Sequence, residues 1–509
     1  MLCPTALCHK SFLLLLCIVL TNGCSIAVNS HQQKIPMMEA YLAGNNDFVG
    51  SFISEKLEKP GWFNNSAVNT VDELMWRLEA GSFYFHLGKF QECIEQLKQA
   101  EELINDYDER AKISIRDTGA ELGAAVTNMN VLPYRGYCRD RLVLSIYKSL
   151  AYLGMEKQDA ARAQLKRLRN EQKKVQEDHR DFFEQESREI EKQRKKHGDL
   201  VARAEENFKN SYRAENQSYS SAVQQAGAVA HKGYGNVLNP AAIFLSGLGN
   251  IYDDNFENAR IDFKRLYEAM PQNPMICRYY TTILRKTGRE VPSELDSFTS
   301  YPFPLNRNCA YVLFANGRSA AFQEYAVSGA VMTAWPVCTF YPAPYRHLNV
   351  VSGNQVYTTT ILANMDAVLA QEFEERFPGM ITRIIINTMI KEAAYYTSLA
   401  LIQNSDMDDT AKQLALAAAA IGGTGYRAVM NTADTRSWEI LPKEFQLTQI
   451  PIPEDRTLGL QLNGKRDHNI QLKIPRDFDS VILFVNAPGQ ENISCHVLPL
   501  KRRSMENEN

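Results

Sequence analysis

Catalytic side chains in enzymes recur in short patterns, and this chain of 509 residues lacks the common ones. It has no GxSxG elbow, no HExxH helix and no phosphate-binding loop, and its nine histidines are scattered. The glycine cluster at 422–425 is typical of a helix stop and turn, with anion binding as the alternative. The carboxylates in 372–377 are interpreted as the charged, exposed face of a helix. We therefore predict no catalytic residue, no cofactor and no metal.

The cysteines also carry chemistry, and most of them lie far apart. Beyond residue 24, six of the ten cysteines remain, and none forms a CxxC pair. They are Cys93, Cys138, Cys277, Cys309, Cys338 and Cys495. Zinc sites draw on clustered ligands, so this spacing argues against a structural metal. We favour buried free thiols, with one or two long-range disulfides as the alternative.

Cys24 follows the one apolar run at the start of the chain. The run from Phe12 to Leu20 is too short to span a bilayer, which needs about 20 apolar residues. A short apolar centre followed by small residues is typical of a secretory signal, here predicted over 1–23. Gly23-Cys24 resembles a bacterial lipobox, which implies a lipid on Cys24. The alternative is ordinary secretion with an unmodified cysteine.

Composition limits the classes of function. The chain is 45% hydrophobic and 23% charged, which is typical of globular protein with room for two to four domains. Its net charge of -3 argues against generic nucleic-acid binding, because that binding requires a basic surface to neutralise phosphates.

Two segments share the spacing of a tetratricopeptide (TPR) repeat, in which small residues let two antiparallel helices approach closely. The positions that fit this spacing are Gly81, Tyr84, Cys93, Leu97 and Ala100 in the first segment, and Gly247, Ala259, Phe263 and Pro271 in the second. A degenerate copy at 147–168 contains Gly154 and either Ala160 or Ala161. We expect a TPR-like helical domain over 70–299, after a tether and first helices at 24–69. An irregular helical bundle is the alternative.

A charged insertion interrupts these repeats. From 165 onward, Leu168, Val175, Phe182 and Glu189 recur every seven residues among dense charges of both signs. This pattern predicts a long helix or a coiled-coil-like helical hairpin that projects over about 165–232, with a flexible return loop at 216–235. The basic run at 192–197 is interpreted as a solvated face, with contact to an anionic surface as the alternative.

The second half changes character at the prolines of 300–308. Asn316-Gly317 between two apolar runs predicts a β-hairpin. A strand is expected at 356–362, helices at 365–377, 380–402 and 411–423, and alternating strands from 445 to 500. None of the helices is long and apolar enough to span a membrane. We predict an α+β domain with a mainly antiparallel sheet over 300–501 and a polar tail at 502–509.

One string in this half carries a resemblance. The sequence ADTRSWEILPKEFQLTQIPIP at 433–453, together with 239–263 and the lipobox-like start, resembles a poorly characterised family of bacterial envelope lipoproteins with TPR-like helices. The family resemblance suggests partners in envelope systems that include small lipoprotein activators of penicillin-binding proteins. On a strand, Asp434, Arg436 and Trp438 would share one face. We interpret them as an ion pair and a core anchor, with a ligand-binding edge as the alternative.

Two classes of function follow. The favoured one is a non-enzymatic envelope lipoprotein that binds a protein partner through its TPR-like groove, anchored through Cys24 at the periplasmic face of the outer membrane. A secreted or soluble periplasmic protein is the alternative location. The second class is a hydrolase or polymer-binding protein that acts on envelope polymer through residues 300–500.

Overall fold

The structure is a computed structural model. It describes residues 29–61, 64–114, 132–214, 217–327, 333–405, 408–409, 411–416, 432–464 and 466–502. Cys24, the glycine cluster at 422–425 and most of the polar tail lie outside these residues, and only part of the helix expected at 411–423 lies within them.

Helices make up the first half of the described chain. In chain order they are α1 (Ser30–Leu42), α2 (Asn46–Leu57), α3 (Glu73–His86), α4 (Phe90–Ser114), α5 (Cys138–Gly154), α6 (Gln158–Ala214), α7 (Gln217–Ala230), α8 (Pro240–Tyr252), α9 (Phe256–Ala269) and α10 (Pro274–Lys286), with α11 (Met365–Gln403) inside the second half. Three pairs, α3–α4, α5–α6 and α8–α9, pack as neighbours. None of the described helices is long and apolar enough to cross a membrane.

The three pairs share one turn. Each connection has three residues, and the middle residue has a positive φ: Gly88 (73°), Glu156 (57°) and Asp254 (55°). The N–H of the residue that follows donates to a carbonyl five residues earlier, as from Lys89 to Tyr84 O (2.9 Å). This hydrogen bond is the Schellman arrangement that ends a helix and reverses the chain.

Small residues lie where the paired helices touch. A Cβ on Gly81 would lie 2.3 Å from Leu97 of α4, and a Cβ on Gly247 would lie 2.6 Å from Phe263 of α9. Ala259 and Ala100 are fully buried. In the α5–α6 pair Ala161 is buried, but Gly154 faces Phe90 of α4 instead of its own partner helix. Helix α8 begins at Pro240, and the preceding Asn239 caps it, because its side chain accepts from the Ala241 and Ala242 N–H groups.

Helix α6 is continuous over 57 residues. Its first part packs against α5, α8 and α11, and Leu165, Leu168 and Val175 are buried. From Glu184 onward every described side chain is exposed. The predicted flexible return loop is wrong over 217–230, where α7 forms instead and packs against α11. Ala226 of α7 is buried in this contact region, which supplies the apolar packing that the polar composition did not suggest.

The second half contains three antiparallel or mainly antiparallel sheets. The strands are β1 (Cys309–Asn316), β2 (Ala321–Val327), β3 (Thr333–Thr339), β4 (Leu348–Ser352), β5 (Gln355–Thr358), β6 (Thr360–Asn364), β7 (Glu444–Pro451), β8 (Thr457–Leu462), β9 (His468–Lys473), β10 (Ser480–Ala487) and β11 (Ser494–Leu500). The orders are β11-β10-β1-β7-β6, β2-β3 and β5-β4-β8-β9. Among the strand pairs of the described residues, only β1–β10 is parallel.

The five-stranded sheet lies between two cores. Alternate residues along β1 and β10 face opposite sides: Tyr311 and Phe484 join the core shared with the helices, whereas Phe314 and Leu483 join the core under the four-stranded sheet. The fold class is therefore α+β, with helices on one face of a mainly antiparallel sheet and a second sheet on the other. The first core combines residues of both halves of the chain, with Met37 as its first member and Leu500 as its last. The domain boundary at about 300 stays a prediction.

The hairpin predicted at Asn316-Gly317 is wrong. β1 pairs with β10 and β7, and β2 pairs with β3. Gly317 does adopt a positive φ of 71°, but its N–H donates to Ala487 O (2.9 Å) at the end of β10. The turn therefore directs the chain past the end of the sheet, because β7 and β10 already occupy both edges of β1.

Two further expectations differ from the structure. The helices predicted at 365–377 and 380–402 form one helix, α11, with Pro378 inside it. Phe377 and Ile381, on either side of the proline, pack against β3 side chains, and this packing opposes the break that proline favours. The strand predicted at 356–362 is two strands, β5 and β6, which belong to different sheets and meet at Thr359.

Candidate functional site

Residues 432–443 form an extended segment without regular secondary structure that contacts α1, α3 and α5. Its polar groups are bonded to side chains of those helices. The segment is not a strand, so the prediction that Asp434, Arg436 and Trp438 share one face of a strand is wrong. The most distinctive string of the sequence is thus the part of the second half that joins the first.

Arg436 and Asp434 form the expected ion pair. The Arg436 Nη2 atom lies 2.7 Å from Asp434 Oδ2, and its Nε donates to Asp434 Oδ1 (2.8 Å). Arg436 also donates to the Leu132 carbonyl (2.8 Å) and lies 3.3 Å from Asp72 Oδ1. Burial alone would lower the pKa of Arg436, but Asp434 and Asp72 outweigh it and raise that pKa. The buried guanidinium is therefore held by structural contacts on several sides.

Trp438 is fully buried, and its indole Nε1 donates to Ser82 Oγ of α3 (3.0 Å). One turn away on the same helix, Glu79 accepts from the backbone N–H groups of Glu439 and Ile440, both at 2.8 Å. These bonds satisfy an extended backbone that has no neighbouring strand at this point.

A buried charge cluster surrounds this contact. Lys34 Nζ of α1 lies 3.0 Å from Glu79 Oε1 and 3.1 Å from Glu439 Oε1, and all three side chains are 0–2% exposed. His31 Nδ1 lies 3.1 Å from the same Glu439 oxygen. We refer to Lys34, Glu79, Glu439 and His31 as the lysine cluster.

The two carboxyls of the lysine cluster differ in acidity. Burial raises the pKa of Glu79 against the opposing effect of Lys34. For Glu439, burial also raises the pKa, but Lys34 and His31 outweigh it and the pKa is lowered. Carboxyls with separated pKa values occur in acid–base sites. Here, however, Lys34 and Glu79 have no solvent exposure, so no substrate reaches them and the cluster is a structural one.

A second buried polar group extends from α5. Arg139 lies 3.0 Å from Asp140 Oδ1 and donates to Ser319 Oγ (2.6 Å) and to the Trp438 carbonyl (3.1 Å). Nearby, Asp366 of α11 pairs with Lys443 at the end of the segment. The segment is therefore anchored to α1, α3, α5 and α11 by charged contacts.

A charged cleft lies between α4, α5 and α6, with a volume of about 120 Å³. Sites for small molecules usually have about 300–1,000 Å³, so this cleft accommodates only a few side chains. Its lining residues are Glu101, Ile104, Asn105, Arg141, Leu144, Ser145, Glu171, Lys174, Val175 and Asp178.

One group of described residues has the composition of a metal site. Cys138, His179 and Glu372 are buried, and one donor atom from each lies within 4.8 Å of the others. The interpretation of 372–377 as an exposed face is wrong for Glu372, which is fully buried and has a pKa raised by burial. Sequence spacing gave no signal for this group, since its members are 41 and 193 residues apart.

The cysteines follow the favoured interpretation. All six that are described are free thiols, and five of them are buried. Among the repeat positions, Gly81, Gly247, Ala259, Ala100 and Phe263 lie at helix contacts, Tyr84 is partly buried against the core, and Pro271 follows α9. Sequence reasoning missed Lys34 and Glu79, although the string that contains Glu439 was singled out.

Comparison with known proteins identified no relative of this chain. Scans against protein-family models, curated proteins and solved structures found no match to the chain.

Proposed function

We propose that this chain is a non-enzymatic lipoprotein of the bacterial envelope that acts as a TPR-like scaffold or adaptor for protein–protein interaction in envelope assembly. The observation that carries the proposal is the set of three helix pairs with one turn geometry, two of which have a glycine at the contact between the paired helices. Stacked helix pairs of this kind offer extended surfaces for peptides and partner helices.

The surface that we propose for a partner is the charged cleft. The first helices of the pairs are covered by the five-stranded sheet. The ring centroids of Phe85 (α3) and Phe484 (β10) are 4.9 Å apart, and those of Phe244 (α8) and Tyr311 (β1) are 6.4 Å apart. A partner therefore reaches the pairs from the side of α4 and α6, and the cleft between them also includes Arg141 of α5. We take this cleft as the TPR-like groove of the proposal.

The cleft has the charges for selective docking. Glu101, Glu171 and Asp178 supply negative charge, and Arg141 and Lys174 supply positive charge. Mixed charges favour one orientation of a charged partner and disfavour others. The exposed part of α6 continues this surface with the side chains of Glu184, Gln185, Ser187, Arg188, Glu191, Lys192 and Lys195. The Lys195–Glu191 pair at 2.8 Å supports a solvated face along the basic run.

A photo-crosslinking amino acid at Asn105 or Lys174 tests the groove in intact cells. Both positions are exposed and line the cleft. We expect each to form an adduct with the same envelope protein, identified by mass spectrometry. Lys264, an exposed position on α9, is the matched control and should give no such adduct.

The outcomes separate the two classes of function. Equal adducts from Lys174 and Lys264, or none from the cleft positions, would contradict the proposed groove. Capture of envelope polymer without a protein would favour the polymer-acting alternative.

The anchoring part of the proposal rests on Cys24 and is tested separately. Labelling cells with a fatty-acid analogue should mark the wild-type chain and leave Cys24→Ser unmarked, and fractionation should place the labelled chain in the outer membrane. Equal labelling of both chains would exclude Cys24 as the lipid site, and an unlabelled soluble wild type would indicate secretion to the periplasm.

A further inference from the structure

Three helices that are distant in sequence bring a thiol, an imidazole and a carboxylate together. Cys138 is the first residue of α5, His179 lies on α6 and Glu372 lies on α11. Their donor atoms are within 4.8 Å of one another, and all three residues are buried.

The hydrogen bonding of this group is incomplete among the described residues. His179 Nε2 is buried and makes no hydrogen bond there. Glu375 Oε2 is 3.4 Å away but lacks hydrogen-bond geometry. A buried polar atom without a partner costs about 1–3 kcal/mol, so a bound ligand that accepts the nitrogen lone pair would remove that cost.

We propose that Cys138, His179 and Glu372 bind one zinc ion. Zinc takes sulfur, nitrogen and oxygen donors in tetrahedral sites, and a mixed Cys–His–carboxylate set fits it better than magnesium or calcium, which prefer oxygen alone. The nearby Glu375 carboxylate or a water molecule supplies the fourth ligand.

Zinc binds cysteine as the thiolate and histidine as the neutral imidazole. Binding therefore replaces the Cys138 thiol proton with a zinc–sulfur bond and releases that proton to solvent.

The charge of Arg376 decides which set of zinc ligands gives a site without net charge. Its Nη2 lies 2.5 Å from Glu372 Oε1, whereas Glu372 Oε2 accepts the Cys138 backbone N–H (2.8 Å). Zinc with the Cys138 thiolate, Glu372 and Glu375 would carry a charge of about minus one, which the Arg376 guanidinium neutralises. This balance favours Glu375 over water as the fourth ligand.

The burial of the site indicates a structural ion. It would connect α5, α6 and α11 beside the base of the exposed part of α6. We therefore expect zinc to increase stability without conferring a reaction.

Metal content and thermal melting of the untagged full chain test the site. After growth with zinc, the wild type and the control Cys93→Ser should retain about one zinc per chain, whereas Cys138→Ser and His179→Gln should lose it. Cys93 is a matched control because it is another buried helical thiol. Chelation should lower the melting temperature of the wild type and of the control only.

Cobalt substitution keeps the test decisive if a variant fails to fold. In the wild type, Co²⁺ should give a thiolate-to-cobalt charge-transfer band in the near ultraviolet, and added zinc should abolish it. A wild type without metal and without this band, or equal zinc in wild type and Cys138→Ser, would overturn the proposal.

Discussion

At the scale of residues, the chain buries charge where its two halves meet. The lysine cluster places one ammonium between two carboxylates, and each partner makes further hydrogen bonds to backbone groups or His31. Removing one member of such a group typically costs about 3–5 kcal/mol, because an uncompensated charge stays buried. The cluster therefore fixes which segment docks between α1 and α3.

The sequence identified part of this contact. The Asp434–Arg436 pair and the buried Trp438 followed from short spacing inside one string. Lys34 and Glu79 did not, because they lie 45 residues apart and about 360–400 residues before Glu439. Burial of a lysine becomes visible only when the tertiary fold is known.

A histidine in the same core gives a pH-dependent prediction. Tyr41 Oη and Tyr147 Oη lie 2.7 and 3.0 Å from the two ring nitrogens of His86. Burial, with His496 nearby, lowers the pKa of His86 to about 3, whereas an unfolded chain titrates near 6.5. Between these values the unfolded state binds a proton that the folded state excludes, so stability falls as the pH falls below 6.5.

The expected loss from His86 is about 2 kcal/mol at pH 5, at about 1.4 kcal/mol per pH unit. Urea unfolding at pH 7 and pH 5 should show a smaller loss on acidification for His86→Gln than for the wild type. His231→Gln, at an exposed histidine, controls for the substitution itself. The same loss in all three chains would show that His86 is not responsible.

At the scale of elements, the helix pairs were the most predictable part. The spacing of small residues indicates where two helices of a pair touch, because a larger side chain at those positions would collide with the partner helix. Gly81 and Gly247 illustrate this directly. In the degenerate pair, Ser149 stands twelve residues before Ala161, the position that Gly81 and Gly247 hold in the other pairs, and it is fully buried.

Local signals failed where tertiary packing decides the outcome. Asn316-Gly317 has the backbone of a turn, but the strand partners of β1 come from more than 100 residues away. The polar composition of 217–230 suggested a loop, yet its few apolar side chains meet β3 and α11. Neither contact leaves a short-range signature.

A glycine substitution tests the helix contact. Gly81→Ala places a methyl group 2.3 Å from Leu97 and should destabilise the full chain by about 1–3 kcal/mol. Gly50→Ala is the control: it also lies inside a helix, but its new Cβ would be 3.6 Å from Phe83, an ordinary contact. Alanine favours helix there by up to about 1 kcal/mol. Equal melting temperatures for the two variants would mean that α3 and α4 do not pack as described.

At the scale of the whole molecule, the two halves share one core. The helix side of the five-stranded sheet is covered by α3, α5 and α8, whose residues are buried almost throughout. The opposite side is covered by the four-stranded sheet. A helix that is buried almost all round loses part of that burial when one covering layer is removed, so these helices depend on the sheet.

The repeat spacing does not reveal that these helices depend on the sheet, because a helix buried on one side and a helix buried on two sides can both have that spacing. The composition of α8, PAAIFLSGLGNIY, is more apolar than one packed face requires. This excess of apolar residues in α8 is the local sequence feature that indicates a second covering layer.

The last prediction separates a chain of independent domains from one with a shared core. A fragment ending at residue 299 exposes the faces of α3, α5 and α8 that meet β1, β10 and β11, and exposed apolar surface of this size promotes aggregation. We expect residues 24–299 expressed alone to bind a hydrophobic dye and to lack a cooperative melt. Co-expression with residues 300–502 should restore a soluble complex with a single transition. The same co-expression with Phe484→Asp in the second fragment is the control for sheet contact, since Phe484 lies against Phe85 and His86. A monomeric, dye-free fragment that melts cooperatively would instead support a boundary near residue 300 and an autonomous helical domain.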